Sequence, residues 1–167
     1  MAEGERRRIR YIIRFPHMGP MESKIWHKFL ATTDLRFEKI EYDVRVGTGF
    51  IPKWLEEEYR IKLELFRKGM ISRRDFELTE ATLKSVSALT KLRIDAVGYT
   101  KDAIWIFEVK PRAGRSALGQ LESYYYWFIR QYRPTKPVRL ACVCIEVDPN
   151  LVPIFNARGI RIFKVPI

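Results

Sequence analysis

The chain has 167 residues, 47% of them hydrophobic, which suffices for one domain spanning residues 1–167 with a full core. Thirty-one Lys and Arg against twenty Asp and Glu leave a formal charge of +11, so a polyanion, most commonly nucleic acid, is the expected partner. No apolar run approaches the ~20 residues of a membrane span and nothing near Met1 reads as a signal peptide, so a soluble cytoplasmic protein with no membrane partner is expected, in the host cytoplasm if the chain is viral.

Residues 1–14 form a basic N-terminal segment, with Arg6, Arg7, Arg8, Arg10 and Arg14 around Tyr11, Ile12 and Ile13. It reads either as a solvated terminus or as an arm for phosphates, whose oxygens guanidinium groups match. After a turn over 15–19, Pro20 predicts the first residue of a helix to about Leu30, with Ile25, Trp26, Phe29 and Leu30 inward. Glu22 falls on that apolar face, either as a first-turn acid favoured by the helix dipole or as a group held in a site. Residues 37–46 predict a strand with Ile40, Tyr42, Val44 and Val46 inside and Asp43 solvated on the other face. Pro52 opens a second helix to about Lys68, with Trp54, Leu55, Tyr59, Leu63 and Phe66 inward and Glu56 to Glu58 as its wet first turn. Ser72 and Asp75 resemble an N-cap and an acidic first turn, beginning a short third helix, so residues 50–82 are expected as a helical insertion.

A helix then gives way to a strand carrying Asp95, and residues 92–110 read as two strands meeting at Thr100–Ala103. On the second, Ile104, Ile106, Glu108 and Lys110 alternate with Trp105, Phe107 and Val109. A hairpin centred on Lys101 and Asp102 pairs residues whose numbers sum to 203, setting Asp95 opposite Glu108 and Arg93 opposite Lys110. Facing residues lie ~5 Å apart, where two carboxylates repel and call for a counter-charge, most simply a divalent metal ion. Lys110 adds a cation on the same face. Pro111 to Gly114 reads as a basic turn, and Ser116 leads a helix to about Arg133. Leu118, Leu121, Tyr125, Phe128 and Tyr132 form one stripe of it, and Gln120, Tyr124 and Trp127 a neighbouring one. Val138 to Glu146 is a continuous apolar strand in which Cys142 and Cys144 face one way as buried thiols. A short helix over 149–157 and a last strand over 160–165 complete the order.

Asp95, then Glu108-Val109-Lys110 after twelve intervening positions, with Glu22 upstream, resembles the PD-(D/E)xK nuclease superfamily. Gln120-Leu121-Glu122-Ser123-Tyr124 is similar to the QxxxY helix motif of its RecB-like branch. Ile94 stands where Pro often precedes the Asp, and His17 and His27 are the only histidines upstream. The resemblance implies an α/β fold with a restriction-endonuclease-like core: a central mixed β-sheet flanked by helices, with a helical insertion between the first and second core strands. It implies an Mg²⁺- or Mn²⁺-dependent nuclease that hydrolyses phosphodiester bonds of DNA, in the manner of phage-type exonucleases or resolvases. Asp95, Glu108, the Val109 carbonyl and Glu22 would be the metal ligands, with Lys110 and Gln120 also catalytic, and Arg112, Arg115 and Tyr124 would contact nucleic acid. Nucleases of this size commonly work as a homodimer or beside a recombination, replication or packaging protein, which is the expected company. The competing reading is a non-catalytic nucleic-acid-binding or assembly protein that keeps the fold.

Overall fold

The computed structural model describes Phe15 and residues 17–167; the arginine-rich segment 1–14 lies outside the described residues. Its elements are α1 (Pro20–Thr32), β1 (Phe37–Val46), α2 (Lys53–Arg67), α3 (Arg73–Leu89), β2 (Leu92–Thr100), β3 (Ile104–Ala113), α4 (Arg115–Tyr132), β4 (Val138–Val147), α5 (Val152–Ala157) and β5 (Ile160–Lys164). The strands form one mixed sheet in the order β1-β2-β3-β4-β5, antiparallel across the first two pairings and parallel across the last two. The architecture is the expected one: an α/β fold with helices on a mixed sheet and a helical insertion between the first and second strands, consistent with a restriction-endonuclease-like core. Among the described residues no helix is long and apolar enough to cross a membrane.

Two apolar layers sandwich the sheet. On one side Ile25, Trp26 and Phe29 of α1 pack on Ala96, Trp105, Phe107 and Val109. On the other, Ala117, Leu121, Tyr124 and Phe128 of α4 and Phe155 of α5 cover Ile94, Val97, Ile104, Ile106, Cys142 and Cys144. The alternation along β3 produces this division, because odd and even positions of a strand point to opposite faces. Both cysteines are buried free thiols. Only a glycine fits at position 98, since a Cβ there would come within 2.5 Å of the Phe37 ring, which lies over the sheet at that point.

The structure departs from the sequence pattern in several places. Ile40 and Tyr42 pack with the α1 layer, whereas Val44 and Val46 belong to the α4 layer. The side changes at Asp43, whose φ of 55° breaks the strand's regular alternation. The third helix is long, running to Leu89, so the insertion extends past residue 82. Pro111 lies inside a strand and not in a turn, since β3 continues to Ala113 alongside β4. Pairing with β2 stops at Phe107, so beyond it β3 has an open edge where a residue lacking an N–H loses no ladder bond. The buried stripe of α4 is Ala117, Leu121, Tyr124 and Phe128, leaving Tyr125 and Tyr132 exposed. Trp54, expected inward, is 66% exposed.

Phe107 is fully buried, with the rings of Trp26, Phe29 and Phe37 at 5.1, 5.4 and 5.8 Å. Phe107→Ala is expected to destabilise the protein by about 3–5 kcal/mol, read as a shift in the urea midpoint at unchanged slope.

Candidate active site

The β2–β3 ladder pairs Ala96 with Phe107, Val97 with Ile106, Gly98 with Trp105 and Tyr99 with Ile104, the register of a hairpin centred on Lys101 and Asp102. One step further this register would set Asp95 against Glu108, and there the backbone ladder ends. The Asp95 side chain takes over: the Val109 N–H donates to its Oδ2 at 2.8 Å. Asp95 thereby lies across from Glu108, on the face that α4 covers. Arg93 does not pair with Lys110; it stands beside Arg45 on β1, and its Nε lies 3.3 Å from Asp43 Oδ1.

Glu108 is 2% exposed and both of its oxygens are engaged. Lys110 Nζ lies 3.0 Å from Oε1, and the Tyr124 hydroxyl donates to Oε2 at 3.1 Å. Gln120 Nε2 donates to the Tyr124 hydroxyl at 3.3 Å, and the Ser116 hydroxyl donates to Gln120 Oε1 at 3.2 Å. Ser116, Gln120 and Tyr124 are spaced by four, so one face of α4 delivers a hydrogen-bonded chain that ends on Glu108. Tyr124 is 3% exposed, so its ring is core and its hydroxyl orients Glu108. Arg112, on the end of β3, and Arg115, at the start of α4, are both exposed.

Glu22 lines the same cleft, a concavity of about 370 Å³ shared with His17, Lys91, Arg93, Asp95, Glu108, Lys110, Gln120 and Tyr124. Its Oε2 accepts the Gly19 N–H at 3.0 Å, so it caps its own helix while its charge faces Asp95. His17 received no role from the sequence. Its Nε2–H donates to the Asp95 carbonyl at 2.8 Å, and its Nδ1 is buried with no hydrogen-bond partner among the described residues. Its position three residues ahead of Pro20 was the one available signal, and only the fold brings that turn against β2.

The electrostatics follow from burial. Desolvation first, then the charge of Glu22, lifts the Asp95 carboxyl to about 6 against the pull of the Val109 N–H, Lys110 and Arg93. Desolvation and the neighbouring Asp95 lift Glu108 to about 7 despite Lys110 and Tyr124. Burial opposes the Lys110 ammonium, yet the bond and charge of Glu108, with Asp95 and Glu22, outweigh it and raise its pKa.

Two hard carboxylates pressed together above their ordinary range, with a lysine too few to neutralise both, fit a divalent cation. Among the described residues no three His, Cys, Asp or Glu side chains converge as a complete cage. The set on offer is therefore Asp95, Glu108 and a backbone carbonyl, with Glu22 further out.

No family model and no curated protein matches the chain. Among solved structures it is similar to a repair endonuclease from Pyrococcus abyssi, at 23% identity and a TM-score of 0.39 over 44% of this chain. The match spans 32% of that endonuclease's length.

Because both carboxyls sit above their unfolded values, the metal-free folded state binds more protons than the unfolded one between about pH 4 and 7. Stability in chelator is therefore expected to fall as pH rises through that window. Mg²⁺ should offset the loss, and Asp95→Asn should flatten the slope, as read by thermal unfolding at each pH. A stability that rises with pH and ignores both Mg²⁺ and the substitution would contradict the repulsion between the two carboxylates.

Proposed function

We propose that the chain is a metal-dependent nuclease of the PD-(D/E)xK type that hydrolyses phosphodiester bonds of DNA. The observation that carries this reading is the convergence of Asp95, Glu108 and Lys110 in one cleft, with both carboxyls raised by burial and proximity. Charged groups on an ordinary exterior sheet face would be solvated, whereas Glu108 is buried and held from two sides.

Mg²⁺ or Mn²⁺ held by Asp95, Glu108 and the Val109 carbonyl, with Glu22 behind them, would polarise the scissile phosphate, activate a water and offset developing charge. The chain's own groups divide the remaining work. Lys110, with its pKa raised, keeps its proton at neutral pH, so it serves as a cation and hydrogen-bond donor toward the phosphate and its water, not as a general base. Tyr124 fixes the rotamer of Glu108, and Gln120 holds the Tyr124 hydroxyl. Exposed Arg112 and Arg115, with Lys91 and Arg93 at the cleft, grip the backbone on either side of the cut, in a chain whose formal charge is +11. That grip is not base-specific, so phosphate contact dominates affinity and binding should weaken with salt.

Cleavage of plasmid and linear DNA in Mg²⁺ or Mn²⁺ tests the reading. Asp95→Ala and Lys110→Ala are each expected to slow cutting by on the order of 10²–10³-fold or more. Both variants cutting at the parent's rate would sink the assignment. Tyr124→Phe keeps the packed ring and removes only the bond to Glu108. It is expected to lower the rate by about 10–100-fold and to move the acid limb of the pH–rate profile, without changing the unfolding temperature as Phe107→Ala does.

A further inference from the structure

The C-terminal half of α4 and the strand that follows form a corner with no part in the cleft chemistry. From Ser123 to Ile145 the chain has four Lys and Arg and no Asp or Glu. Within that run Tyr125 and Tyr126 are 40% and 49% exposed. The Arg130 Cζ lies 3.6 Å from the centre of the Tyr126 ring, and its Nη1 donates to the Tyr126 carbonyl at 2.9 Å, so a guanidinium and a phenol are held together on the outer side of the helix. The sheet makes room beside them. β5 joins β4 only from Leu140, which leaves Val138 and Arg139 with an open edge, and a groove runs between that edge, α4 and the Arg158–Gly159 turn. Ile129, which lines it, is about two and a half turns from Gln120, so the groove lies on the side of α4 turned away from the cleft. Val138 pairs with Ile104, which is about 13 Å along β3 from Glu108.

Charge and ring chemistry name the occupant. This groove and a second one at the end of α4 are together lined by Arg130, Arg133, Lys136, Arg139 and Arg158 against one acid, Glu122. Glu122 is paired with Arg158 at 2.8 Å. Arg139 turns its guanidinium toward Trp105, 5.8 Å away, and adds charge at the rim. The acids bordering the corner are matched as well: Asp102 follows Lys101 in the β2–β3 turn, and Glu41, near Tyr99, is paired with Lys39 at 2.5 Å. The positive excess suits phosphates, whose oxygens guanidinium groups match. The exposed rings narrow the choice further. A duplex keeps its bases paired and stacked inside, whereas the bases of a single strand lie on aromatic faces and guanidinium planes.

We propose that this corner is a second nucleic-acid site, one for a single strand, with bases stacked on Tyr125 and Tyr126 and phosphates held by Arg130, Arg133 and Arg158. It is separate from the cleft in place and in chemistry, and it stands independently of the nuclease reading.

Binding of the full chain to a labelled single-stranded oligothymidine of about 16 nucleotides, and to a blunt duplex of equal length, tests it in chelator, where no cutting intervenes. Tyr125→Ala with Tyr126→Ala is expected to weaken single-strand binding by on the order of 10–100-fold and duplex binding by less than about twofold. Tyr125→Phe with Tyr126→Phe keeps the rings and should bind as the parent does, and both pairs should unfold at the parent's temperature. Arg130→Gln with Arg133→Gln should flatten the salt dependence of single-strand binding by about 1.4 in log–log slope, the share of two phosphate contacts. An alanine pair that binds the single strand as tightly as the parent overturns the proposal, as does an equal loss on both probes or an arginine pair with an unchanged slope. So does a parent that does not bind the single strand at all, the result expected if the groove serves a protein partner. A chain that binds single strands through these tyrosines and cuts nothing in Mg²⁺ supports this site and counts against the nuclease reading alone.

Discussion

Asp95 faces Glu108 at the point where two strands stop sharing a backbone ladder, and the site depends on that arrangement. Up to Ala96 and Phe107 the hairpin is held by ordinary strand pairing. One residue later the Asp95 carboxylate replaces the missing carbonyl and takes the Val109 N–H. The strands are thus pinned by a side chain just where they part, and that side chain is brought beside a second acid. Burial disfavours both charges first, and a neighbouring acid adds to it, Glu22 for Asp95 and Asp95 for Glu108, which is why both carboxyls sit above their usual range.

The surroundings hold the two acids in place and relieve their repulsion only in part. Lys110 lies on the same strand face two residues from Glu108 and neutralises only part of the charge. On the other flank, Cys142 and Cys144 of β4 pair with Glu108 and Lys110 across the parallel ladder, both fully buried. Small thiols there make a dry wall, and the Cys144 contact together with burial pushes the Cys142 thiol up as well. From above, α4 closes the site with the helix face that builds the core. Leu121 and Phe128 anchor the helix to the sheet, and Tyr124 in the same stripe turns its hydroxyl onto Glu108. The position of the Tyr124–Glu108 hydrogen bond is therefore set by hydrophobic packing, which side-chain close packing transmits with little slack.

The α2–α3 hairpin and the rest of the described chain differ in surface charge. Outside the hairpin, residues 15–52 and 90–167 carry eighteen Lys and Arg against eleven Asp and Glu, and the acidic cleft lies among them. The α2–α3 hairpin is nearly charge-balanced, with eight Lys and Arg against seven Asp and Glu, and leaves Trp54, Ile61, Leu78 and Leu89 exposed. Both surfaces converge at the start of β2, since Lys91 and Arg93 at the cleft follow directly on Leu89 at the hairpin's base.

Much of this was legible in the chain as written. Alternation along 104–110 assigns Glu108 and Lys110 to one face, the Thr100–Ala103 turn sets the register, and the four-residue spacing of Gln120 and Tyr124 puts them on one side of a helix. These are local periodicities, fixed by strand pleat and helix pitch whatever the rest of the chain does. The face change at Asp43, the strand that runs through Pro111, and the exposure of Trp54, Tyr125 and Tyr132 were not legible, because each depends on which neighbour covers or leaves an edge. Glu22 and His17 make the same point from the site's side. Their local pattern shows a first-turn acid and a turn histidine, and only the packing of α1 against the sheet brings them to Asp95. The sequence by itself determined which residues share a face; the tertiary structure decided which faces meet, because burial and proximity are properties of the assembled layers and of no single segment.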